Sequence, residues 1–149
     1  MSDSKLEQGD SDLLVQAVFA VFRLVAQADG SIDGSELKRF EQMLRLGAEA
    51  GHPQFRGVLQ QAIAERESRV SGEGSTESEL LATLRKASEV LDTRMSEQDA
   101  RGFKTALVML GNRVGEASRD GLFGLKDSGA EAESRALSAI QQALGISFL

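Results

Sequence analysis

The groups best suited to chemistry in this sequence are carboxylates. Their densest set lies in ADGSIDGSELKRF, residues 28–40, where Asp29, Asp33 and Glu36 stand beside an apolar run. Hard cations such as Ca²⁺, Mg²⁺ and Mn²⁺ bind by gathering several oxygens at once. Laid on an EF-hand loop, Asp29 and Gly30 take positions 5 and 6, Ile32 position 8, Asp33 position 9 and Glu36 position 12. Positions 1 and 3, where carboxylates are usual, then fall on Val25 and Gln27, so an independent calcium loop is not expected. Any cation site needs oxygens from elsewhere in the chain. A structural reading stands beside this one: Asp33 as N-cap and Glu36 three residues later have the pattern of a capping box, and Asp29-Gly30 that of a turn. Both readings can hold together, and capping explains Asp29 least.

Other chemistry has little to work with. There is no cysteine, hence no thiolate ligand, thiol nucleophile or disulfide framework, which fits a cytoplasmic protein. The single histidine, His52, precedes Pro53 in a polar turn, away from any recognisable nucleophile. GEGS and DGLFG are glycine-rich, yet they lack the lysine and the strand-to-helix setting of a phosphate cradle. No catalytic set is assigned, and the chain is read as a non-enzyme. A net charge of −6 leaves no concentrated basic face for nucleic acid or an anionic membrane.

The elements that must position these carboxylates are helices. With 41% hydrophobic and 27% charged residues, one proline and 149 residues, the composition is that of one ordinary globular domain. Leu13–Ala26 is apolar on nearly every side, as a central helix would be, but it carries Gln16 and Arg23 and is too short to span a bilayer. The pattern predicts a first helix over 12–28 and a second from Asp33 to about Gly47, with Leu37, Phe40, Met43 and Leu44 inward. A third runs from Pro53 to about Ser68. Thr76 with Glu79 forms a capping box for a fourth, and Ser96 starts a fifth carrying Phe103, Leu107, Leu110 and Val114. SRDGLFGLKDSG, residues 118–129, reads as a loop before a last helix with Ala136, Leu137, Ile140, Ala143 and Leu144 on one stripe. Gly145 is the expected stop. The first ten residues, MSDSKLEQGD, have no signal-peptide pattern and read as a disordered tail before a domain over 11–149.

The organisation of helix, acidic loop, helix occurs twice. Laying Glu36 on Glu133 places Phe40 on Leu137 and Met43 on Ile140, with Val25 and Ala28 on Val114 and Ala117; Ser128 and Glu131 offer a rival capping box that shifts this register by two. The segments VAQADGSIDGSELKRFEQML, LDTRMSEQDARGFKTAL, VGEASRDGLFGL and ESRALSAIQQALGI, in this order and spacing, resemble the TerB-like family, named for tellurite-resistance proteins. The resemblance covers most of residues 13–146. It implies an all-helical single domain of six to seven helices in two pseudo-repeated halves, acting in stress response without catalysis. It also implies acidic interhelical loops that hold a divalent metal (Ca, Mn, Mg or Zn), adding Asp120 and Glu133 to Asp29, Asp33 and Glu36. Ser118 and Ala130 stand where the second acidic motif would carry carboxylates, which weakens such a site here. The alternative is a metal-free helical module for protein partners, with peripheral association to a membrane complex and an apolar docking patch beside GLFGL.

Overall fold

A computed structural model describes residues 7–27, 34–50, 53–71, 76–121 and 127–146, of which 35–36, 50, 53–54, 67, 69–71, 117–121, 127–130 and 133 are described by backbone alone. These residues form an all-α bundle of six helices: α1 (Gln8–Ala26), α2 (Gly34–Ala50), α3 (Pro53–Ser71), α4 (Glu77–Arg94), α5 (Glu97–Gly121) and α6 (Asp127–Leu144). No strand occurs among them.

The apolar circumference of α1 decides the architecture. A helix without a polar face must be surrounded, and α1 packs on α3, α4, α5 and α6 while Phe19 and Phe22 meet Phe40 of α2. Every residue from Leu14 to Ala26 except Gln16 is buried, Arg23 included. Around this axis α2 packs on α3 and α5, and α6 on α4 and α5. Phe22 stacks on Phe40 with ring centroids 4.3 Å apart. A Cβ built on Gly111 of α5 would lie 3.1 Å from Val21 and Leu137 and 3.2 Å from Val25, so the missing side chain lets α5 approach α1 and α6 closely.

The ends are capped as local chemistry requires. Thr76 and Glu79 form the expected reciprocal box: the Glu79 N–H donates to Thr76 Oγ1 at 3.2 Å and the Thr76 N–H to Glu79 Oε1 at 2.9 Å. Asp99 N–H donates to Ser96 Oγ at 3.1 Å at the start of α5. At the end of α6, Gly145 takes φ 71°, its N–H donates to Gln142 O, and Ile146 N–H donates to Gln141 O, a Schellman closure. Buried Ser88 on α4 donates to Leu144 O at 2.9 Å, satisfying a further terminal carbonyl.

Several boundaries differ from the sequence reading, among them the end of α3, which falls at Ser71 rather than Ser68. Helix α1 begins at Gln8 rather than Asp12, because Glu7 N–H donates to the Asp10 carboxylate at 3.1 Å and both acids meet Arg94 at the end of α4, at 3.6 and 3.3 Å. The tail expected over residues 1–10 therefore loses residues 8–10 to this helix, while residues 1–6 lie outside the described residues. Helix α2 continues through Gly47 to Ala50. Helix α5 runs on to Gly121, so only 122–126 separate it from α6 instead of the twelve-residue loop expected. Helix α6 starts at Asp127, which puts Ser128 inside the helix and not at its cap.

Candidate functional site

Two of the five candidate ligands, Asp29 and Asp33, lie outside the described residues, as does the Asp33–Glu36 capping box. Glu36 is the third residue of α2, Asp120 the last but one of α5, and Glu133 the seventh of α6, each described by its backbone. The proposed equivalence of Glu36 and Glu133 therefore pairs a first-turn position with a second-turn one, a full turn out of step. Topology still gathers them. Phe40 meets Phe22, and Gly111 meets Val21, Val25 and Leu137, so α1 and α5 end where α2 and α6 begin. Glu36, Asp120 and Glu133 are thus carried at one end of the bundle. Among the described residues, no group of three or more His, Cys, Asp or Glu is arranged to hold a metal ion.

The described surface offers instead an apolar groove of about 320 Å³ between α2, α3 and α5. Its floor is core: Val18, Leu44, Phe103, Leu107 and Leu110 are all buried. Its lips are the exposed side chains of Leu46 on α2 and Met109 on α5, 59% and 45% accessible. Phe55 and Leu59 of α3 form the third wall, with Phe55 edge-on to Phe103 at 4.4 Å between centroids. Small residues on the walls, Gly47, Gly102 and Ala106, keep the groove open. A Cβ at Gly47 would collide with Leu59 Cδ1. Large apolar side chains left in water along a concave apolar surface are what an amphipathic helix needs in order to dock.

A polar cavity of about 210 Å³ is lined by Asp92, Glu97, Arg101 and Lys104 with Gly145 and Ile146. Its lysine is 8% exposed and bonded to Asp92 Oδ1 at 2.9 Å, so its charges are matched across the α4–α5 corner. That balance suits a structural tie better than ligand capture. A third cavity, about 390 Å³, lies between Leu24, Gln27, Glu77, Ala132, Arg135 and Ala136 and mixes polar with apolar lining without a convergent set of groups.

The apolar patch expected beside GLFGL rests on residues 122–125, outside the described residues. The groove was not read from the sequence because Leu46 and Met109 lie off the inward stripes of their helices. That misfit was the available signal: a large apolar residue beside, not on, the 3.6-residue stripe. Among the described residues, no helix is long and apolar enough to cross a membrane. Set against family models, characterised proteins and solved structures, the chain matches none.

Proposed function

We propose that this chain is a non-enzymatic, cytoplasmic protein–protein interaction module that receives an amphipathic helix in the groove between α2, α3 and α5. The observation that carries the reading is the pairing of exposed Leu46 and Met109 above a floor of buried apolar side chains. A helix presenting apolar residues at i, i+3, i+4 and i+7 would remove both lips from water. The order of its motifs supports a TerB-like, stress-response setting of the tellurite-resistance type for such a module. The test is selection from a displayed library of amphipathic helices, followed by anisotropy titration of the selected peptides. Leu46→Asp and Met109→Asp should each weaken binding by about tenfold or more, since a charge replaces a desolvated apolar contact, while the melting midpoint stays put. Selected peptides whose affinity ignores both substitutions would refute the groove.

A second reading keeps a divalent cation at the end of the bundle that carries Glu36, Asp120 and Glu133, with Asp29 and Asp33 completing the oxygen set. Its support is the convergence of those helix ends and the acidic pattern of ADGSIDGSE. Calorimetric titration of metal-stripped protein with Ca²⁺, Mn²⁺, Mg²⁺ and Zn²⁺ tests it. Saturable heat that is lost in Asp29→Asn and Glu133→Gln favours this reading, and its absence disposes of it.

A further inference from the structure

The two lips of the groove run in opposite directions, and this sets the charge at its ends. On α2, Phe40 sits at the level of Phe22 of α1 and Leu44 shares the groove with Val18, so α2 descends as α1 rises. On α5, Leu107 shares the groove with Val18 while Gly111 reaches Val21 and Val25, so α5 rises with α1. The residue one turn before Met43 on α2, Arg39, and the residue one turn after Met109 on α5, Arg113, therefore stand at the same end of the groove, each on its helix's groove face. Arg39 is half-buried, and Arg113 is 47% exposed with one nitrogen bonded to Glu116 at 3.2 Å. A guanidinium has five donors, so Arg113 keeps most of its capacity. A chain of net charge −6 thus brings two guanidinium groups, those of Arg39 and Arg113, to one end of its apolar groove.

We infer, building on the docking reading above, that the groove's occupant is an amphipathic helix of another protein whose apolar stripe is followed at one end by carboxylates. Arg39 and Arg113 meet those carboxylates, and the apolar stripe covers Leu46 and Met109. A basic flank at that end faces two like charges and is disfavoured.

The experiment uses the whole chain and synthetic 18-residue helical peptides derived from one selected binder. The peptides are identical along the apolar stripe and carry either two Glu or two Lys beyond its end. Exposed ion pairs give small individual gains, so the Glu peptide should bind about five- to tenfold more tightly than the Lys peptide at low salt, the gap shrinking as salt rises. Arg39→Glu with Arg113→Glu should reverse the preference while leaving the melting midpoint and the Leu46 dependence in place. Binding that depends on Leu46 and Met109 but is indifferent to the flanking charge overturns this inference and leaves the docking reading standing. Peptides that bind without regard to Leu46 overturn both. Sedimentation showing a dimer abolished by Leu46→Asp assigns the groove to a second copy of this chain and also overturns the inference.

Discussion

At the scale of single residues, burial separates side chains that hold the molecule together from those free to meet something else. Phe22 has no accessible surface and lies flat on Phe40, so Phe22→Ala removes an aromatic ring from the axis of the bundle. The expected cost is roughly 3–5 kcal/mol in urea unfolding, the denaturant slope staying that of wild type. A loss under about 1 kcal/mol would mean that the ring is not packed as described. Leu46 and Met109 are the opposite case: they are large, apolar and about half exposed, so replacing them should leave folding nearly untouched. Lys104 has a third character. It is the buried half of an ion pair whose other half, Asp92, is 60% exposed, which favours a structural reading over a catalytic one.

At the scale of elements, two helical glycines make a direct test of how the helices meet. Gly57, exposed within α3, has nothing within 4 Å of a built Cβ, so Gly57→Ala adds helix propensity without a clash and should stabilise by about 0.5–1 kcal/mol. Gly111 faces Val21, Val25 and Leu137 at 3.1–3.2 Å, so Gly111→Ala forces three packed side chains apart. Overpacking of this kind costs about 1–3 kcal/mol, more than the propensity gain, and its sign should be opposite to that of Gly57→Ala in the same thermal scan. Thr76→Ala removes the side chain that accepts from Glu79 N–H and should cost about 0.5–2 kcal/mol. Midpoints moving together for the two glycine variants would show that α5 does not approach α1 as closely as described.

At the scale of the whole molecule, the two functional readings occupy different places and respond to different ligands. The groove is lined by residues from α1, α2, α3 and α5, whereas Glu36, Asp120 and Glu133 of the cation reading stand on the stretches where α5 ends and α2 and α6 begin. A cation that binds only the folded state adds roughly 2.7 kcal/mol at a hundredfold excess over its dissociation constant, several degrees in the midpoint of a chain this long. Under the docking reading, Ca²⁺ and Mn²⁺ at millimolar concentration leave the midpoint within about 1 °C of wild type. A peptide selected for the groove raises it in proportion to its affinity.

The helical class, the central place of α1 and most helix starts were legible in the sequence, because they depend on local information. Leu13–Ala26 is apolar on nearly every side, Thr76 with Glu79 caps at fixed spacing, and Gly145 can take a left-handed backbone that other residues resist. The extension of α5 to Gly121 and of α1 back to Gln8 was not legible. The Arg94 ties to Glu7 and Asp10 come from a distant part of the chain and override a polar local pattern at the start of α1, while α5 continues through a stretch whose serine and glycine read locally as a loop. The groove belongs wholly to the tertiary structure. Leu46 and Met109 lie 63 positions apart in sequence, and only the packing of α2 on α3 and α5, and of α3 and α5 on α1, places them on the lips of one groove with a shared apolar floor.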